Sequence, residues 1–149
     1  MMSRKGIFLA VVVLVVAAVA VIVYMAQAGR SGALDQALLA PRWALTELTL
    51  DGNVVELGTA RPTLQFEAGG QAGGNGGCNS YSGPYQTGAG GKLSFGPFVS
   101  TEMACDALSV ESAYFQALAK VEKFSVEGSK LKLSSTDGKT VLVFEGQAR

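Results

Sequence analysis

The stretch from Gly69 to Cys105 constrains this chain more than any other. It reads GGQAGGNGGCNSYSGPYQTGAGGKLSFGPFVSTEMAC, a glycine-dense run that leads into one cysteine and closes on the only other one. Six of the nine residues from Gly69 to Gly77 are glycine. Glycine is used where the backbone takes positive φ or another segment approaches closely, so a hairpin loop or broad turn is expected there. A phosphate loop needs Lys-Ser or Lys-Thr after its last glycine, and none follows; the dinucleotide pattern G-x-G-x-x-G fails as well, because Gly74-Asn75-Gly76 continues as Gly77-Cys78-Asn79. Beyond the loop, Asn79, Tyr81 and Tyr85 share one face of a strand that Gly83-Pro84 is expected to interrupt. Gly88-Ala89-Gly90-Gly91 then turns the chain into a strand carrying Leu93 and Phe95, which gives a hairpin from Cys78 to Phe98. Two readings of the tyrosines stay open: they line a binding groove, or they are half-buried with hydroxyls reaching backbone groups. Asn79 is expected to hydrogen-bond local backbone, as turn-flanking asparagines do.

Upstream lies a different kind of sequence. Arg4 and Lys5 precede an unbroken apolar run from Ile7 to Met25, nineteen residues without a charge. About 20 apolar residues in a helix cross a bilayer core, and basic residues on the leading side keep the N-terminus in the cytoplasm. The run reads either as an uncleaved anchor or as a signal peptide removed after Ala28, since Ala26-Gln27-Ala28 has the small-x-small pattern. Either reading sends the rest of the chain out of the cytoplasm. It is then anchored in the inner membrane through residues 7–25 with its C-terminal domain in the periplasm, or released there. No cysteine stands just after the run to accept a lipid. The expected division is a leader over 1–28, a linker over 29–42 and one domain over 43–146.

Outside the cytoplasm thiols oxidise, and two cysteines allow a single intramolecular pairing. Cys78–Cys105 closes a loop of roughly 28 residues, worth about 3–4 kcal/mol on the chain-entropy estimate. A redox-active pair is the competing reading, but reactive thiols sit in Cys-x-x-Cys or beside cations, whereas the neighbours here are Asn79, Glu102 and Asp106.

Composition narrows the chemistry further. The chain has no histidine, which removes the commonest general base and the commonest metal ligand together; two cysteines alone do not make a structural zinc site. No metal and no cofactor are therefore expected. From Ser31 onward nine Lys/Arg face twelve Asp/Glu, so there is no basic field for nucleic acid.

The domain itself reads as short alternating runs. Trp43 and Leu45, then Leu48 and Leu50, alternate with a slip of one residue between them, the pattern of a strand with a β-bulge. Asp51-Gly52 signals a turn, with Asn53 able to take positive φ. Val54, Val55 and Leu57 follow as a second strand and Thr63–Glu67 as a third. Val110, Ala113, Tyr114, Ala117, Leu118 and Val121 recur at helical spacing, with Ser109 as candidate N-cap and Glu111 suited to the positive end of the helix dipole. Phe124/Val126, Leu131/Leu133 and Val141–Phe144 are closing strands, the last preceded by an Asp137-Gly138 turn. The expected class is α+β: a curved, mostly antiparallel sheet, open-barrel-like, with one covering helix and an N-terminal transmembrane or signal segment.

The ordered motifs Trp43-x-Leu45, Gly77-Cys78-Asn79-x-Tyr81-x-Gly83-x-Tyr85, Leu93-x-Phe95-Gly96-Pro97 and Ser100-Thr101-x-Met103-Ala104-Cys105 resemble the META domain of HslJ-like bacterial heat-shock proteins. The helix with Glu111 and Phe115 and the Leu131-x-Leu133…Phe144 strands continue the likeness, which spans about Trp43 to Glu145. It implies a small envelope domain with a curved antiparallel sheet, no established catalysis and a link to stress response.

The expected function is a non-catalytic, membrane-associated interaction module of the cell envelope, with an envelope protein or an apolar ligand as its partner. The candidate surface is Asn79, Tyr81, Tyr85, Phe95 and Met103. Two alternatives stand beside it: a purely structural envelope protein, and a hydrolase using paired carboxylates such as Glu102 and Asp106 converging at about 5–10 Å.

Overall fold

The computed structural model describes residues 13–21, 36–39 and 41–147. Residues 13–21 are helical, while the rest of the apolar run, the Ala26–Ala28 pattern and residues 29–35 lie outside the described residues. Among the described residues no helix is long and apolar enough to cross a membrane. Residues 36–39 form a helical turn whose Leu38 is buried, its carbonyl accepting the Trp43 indole N–H at 3.0 Å. Part of the segment expected as linker therefore packs with the domain.

Ten strands follow: β1 (Arg42–Leu50), β2 (Asn53–Val54), β3 (Thr63–Glu67), β4 (Gln71–Asn75), β5 (Ser80–Gly88), β6 (Lys92–Phe95), β7 (Val99–Ser100), β8 (Lys123–Glu127), β9 (Lys130–Ser134) and β10 (Val141–Gln147). One helix, α1 (Leu108–Ala119), stands between β7 and β8. The strands run antiparallel in the order β10-β9-β8-β6-β5-β4-β3-β1-β2, and β10 also pairs with β1. That pairing closes eight strands into a ring, with β2 and β7 as side pieces on β1 and β5. The barrel is thus closed where an open one was expected. The seam that closes it is long, from Arg42↔Gln147 to Thr49↔Val141, because β10 extends to Gln147 instead of ending at Phe144.

Local chemistry accounts for these elements. The expected bulge is present as a register shift between Leu45 and Glu47, and it keeps Trp43, Leu45 and Leu48 all inward and buried. Asp51 (φ 52) and Gly52 (φ 83) make the tight turn to β2, so Asp51 and not Asn53 takes the positive φ. That strand covers only Asn53–Val54 and leaves Val54 exposed.

The glycine-rich stretch is not one loop, because Gln71–Asn75 is a full strand between β3 and β5. A Cβ on Gly74 would stand 2.1 Å from the Thr63 carbonyl oxygen, and one on Gly73 2.7 Å from that of Tyr81. Glycine here serves close approach of backbones, not flexibility. Nor does Gly83-Pro84 break the ladder: β5 runs through it, exchanging β4 for β6 at that point, with the Pro84 carbonyl accepting the Gly96 N–H.

The helix α1 touches β1 and β6, which lie opposite each other in the ring, so it spans an opening of the barrel. Its Tyr114, Ala117 and Leu118 join Trp43, Phe66 and Phe144 in one core. The helix begins after Ala107, with no side-chain cap from Ser109.

Candidate functional site

The segment Cys78–Tyr85 and the residues brought to it build two adjoining structures, one polar and one aromatic. In the polar one, Glu111 sits in the first turn of α1, only 5% exposed. Its Oε2 accepts the backbone N–H groups of Cys78 (3.2 Å) and Asn79 (2.6 Å), and its Oε1 accepts from Asn79 Nδ2 at 2.7 Å. Asn79 Nδ2 also donates to the Met103 carbonyl (3.2 Å), while Asn79 Oδ1 accepts from the Thr101 hydroxyl (2.9 Å) and the Met103 N–H (2.7 Å). The Cys78–Cys105 disulfide, with its Cα atoms 6.0 Å apart, ties the same two segments. A carboxylate buried without a cation persists when donors surround it, and three do so here. Gly76 is required beside it, since a Cβ would lie 2.8 Å from Glu111 Oε2.

Asn79 therefore does not belong to a surface, and its bonds are not local: they span 22 to 32 residues of sequence. Nor is Glu111 merely a dipole partner. The sequence signal that could have joined them is the recurrence of a polar residue on the apolar helical face, at 111 beside 110 and 114.

In the aromatic structure, Tyr81 is 5% exposed and Tyr114 fully buried. Their hydroxyls meet at 2.7 Å, and Tyr81 also donates to the Thr63 carbonyl at 2.9 Å. Burial raises both phenols above their ordinary range. For Tyr81 the hydrogen bond from Tyr114 offsets part of this, whereas for Tyr114 the nearby Tyr81 adds to it. Tyr81 packs edge-on against Phe98 (5.1 Å) and Phe115 (5.2 Å), and Phe66 meets Tyr85 (4.9 Å) and Phe95 (6.0 Å). Tyr85 and Phe95 are half-buried against the core, with the Tyr85 hydroxyl donating to the Glu67 carbonyl at 3.0 Å. Tyr81 borders a shallow recess lined by Ser80–Ser82 and Val99–Thr101, and all of these rings are half-buried or buried. Of the five candidate residues only Met103 is exposed, at 59%.

A groove of about 550 Å³ lies elsewhere, between residues Leu45–Thr49 of β1 and Val54–Gly58, with Arg61 at its rim. Glu102 and Asp106 are exposed on the chain between β7 and α1. Among the described residues no group of three or more His, Cys, Asp or Glu could hold a metal ion. Glu122 and Asp137 are carboxyls with displaced titration, and both are pulled down, by hydrogen bonds from Thr136 and Ser135 respectively. A general acid needs the opposite shift.

Residues 36–148 match the META domain family. An NMR structure of a protein from Burkholderia xenovorans is similar, with TM-score 0.64 and 30% identity over 77% of this chain and 87% of that one. The crystal structure of a DUF4847 family protein from Bacteroides vulgatus shares the fold, with TM-score 0.60 and 14% identity over 77% of this chain and 98% of the other. No curated protein matches the sequence. With the family matched from the helical turn at 36–39 to the end of β10, and with its cysteine-asparagine signature at the centre of the polar cluster, the chain belongs to the META domain family.

Proposed function

We propose that this META-domain protein is a non-catalytic interaction module tethered in the bacterial cell envelope, where it contacts another protein through its outer surface. Support for the location comes from the basic-then-apolar leader and from the disulfide, which fits an oxidising compartment. The link to envelope stress rests on the likeness to heat-shock proteins. One observation carries the mode of action: the barrel is filled by its own side chains, Trp43, Phe66, Tyr114 and Phe144 among them, while Val99, Met103 and Leu108 stand exposed on a single segment. With the core positions taken by the protein's own side chains, recognition falls to the exterior.

Affinity capture from crosslinked membranes, using the full chain in its native orientation, tests this. Reproducible enrichment of an envelope protein over a mock capture is expected. Recovery of nothing above that control overturns the reading.

A further inference from the structure

We propose that residues 99–106 form a docking edge to which an extended, basic segment of a partner protein adds as a further strand; this rests on the interaction-module reading and specifies its surface. The geometry starts at β7, which pairs with β5 through Ser82↔Val99 and Tyr81↔Ser100. The ladder continues past the end of that strand. Thr101 N–H reaches the Ser80 carbonyl at 3.0 Å, Met103 N–H reaches Asn79 Oδ1 at 2.7 Å, and Cys105 is bonded to Cys78. Residues 99–101 thus run antiparallel beside 82–80, and beyond them Met103 and Cys105 stay tied to Asn79 and Cys78 through side chains.

In an antiparallel ladder the N–H and C=O of one residue point to the same side, and the sides alternate along the strand. Thr101 and Met103 point inward to β5 and Asn79. Ser100 consequently directs its own outward. Among the described residues the backbone groups of Glu102 and Ala104 have no partner, and every residue from Val99 to Asp106 is exposed. The next strand of the ring does not cover this edge, because β8 meets β6 only at Lys92↔Lys123. Rows of unpaired N–H and C=O groups are templates for strand addition.

Charge selects the occupant. The chain carries no Lys or Arg between Lys92 and Lys120, while Glu102 and Asp106 lie on the edge itself. Pairing of two copies would set acidic residues against each other, and like charges across a ladder are destabilising. A basic segment is complemented instead. Val99 (72% exposed) and Met103 (59%) stand exposed on this edge, so the fitting segment carries apolar residues among its basic ones. The disulfide and the Asn79 bonds hold the edge in place before binding, which lowers the ordering cost of association.

The test uses the full chain in phosphatidylcholine nanodiscs and a capped ten-residue peptide alternating Lys and Val, with a proline-interrupted version and a Glu/Val version as controls. Saturating Lys/Val peptide is expected to slow hydrogen exchange at the Glu102 and Ala104 amides by about tenfold or more, with neither control doing so. Glu102→Pro removes one unpaired N–H and leaves the bonds of Thr101 and Met103 intact; it is expected to weaken peptide binding by about tenfold, or about 1.4 kcal/mol, with the disulfide retained by intact mass. Unchanged exchange at both amides with millimolar peptide overturns the proposal. So does protection that appears without peptide and grows with protein concentration, which would mark pairing of two copies. Repeating the membrane capture with Glu102→Pro separates the two readings. Capture of the same proteins as wild type removes the edge and keeps the interaction module, whereas an empty wild-type capture removes the module.

Discussion

Residues 78–81 and 100–105 lie side by side, tied by backbone bonds, the Asn79 side chain and the disulfide, and they are used in opposite ways. On the inner strand Asn79 is 2% exposed and Tyr81 5%, and the polar atoms of both are bonded across the fold. On the outer strand Met103 is 59% exposed, and Glu102 and Ala104 offer backbone groups to solvent. The inner strand holds the signature residues. What distinguishes the pair is where the hydrogen-bonding capacity goes: inward for structure on one strand, outward for contact on the other.

The largest expected effect is at the inner polar cluster. Glu111→Ala strands three donors, each costing about 1–3 kcal/mol when buried without a partner, for a loss of about 5 kcal/mol. Urea unfolding of the full chain measures it; a loss below about 1 kcal/mol would mean that Glu111 is not the centre of the cluster. Next comes the staple between the strands. Replacing both cysteines by serine is expected to lower stability by about 3–4 kcal/mol and to speed exchange at the Met103 amide, which the Asn79 side chain then holds without the covalent rung.

A smaller, pH-dependent effect belongs to the tyrosines. Burial raises the folded pKa of Tyr81 and Tyr114 above 10.0, so the unfolded chain releases those protons first. Stability from this source is intact below about pH 10 and falls above it, by about 1.4 kcal/mol per pH unit for each phenol until its folded pKa is passed. Urea midpoints followed up the alkaline range should drop less steeply for Tyr114→Phe than for wild type; equal slopes would exclude the buried pair as the cause. The smallest change is expected outside. Val99→Ser and Met103→Ser should move the unfolding free energy by less than about 0.5 kcal/mol, and a larger loss would show those side chains to be packed.

Much of the inner strand's surroundings was legible in the sequence because each rule involved is local. The slip between Leu45 and Leu48 announced the bulge, the helical spacing from Val110 to Val121 announced the buried face, and two cysteines with a single possible pairing announced the disulfide. The failures have a common physical cause. Gly73 and Gly74 read as loop residues because what demands glycine there is the backbone of Thr63 and Tyr81, strands that approach only in the folded barrel. Asn79 and Glu111 read as a turn residue and a dipole partner because their meeting depends on α1 lying across the barrel. Closure was hidden for the same reason: nothing in β1 or β10 alone says that the two will pair.

Native-state hydrogen exchange on the free chain tests the contrast most directly, since it reads both segments in one experiment. The Asn79 amide, held by Glu111, is predicted to exchange only through global unfolding, and the Glu102 and Ala104 amides to exchange close to the rate of an unstructured chain. Equal protection on the two strands, or free exchange at Asn79, would contradict the division into an inner staple and an outer edge.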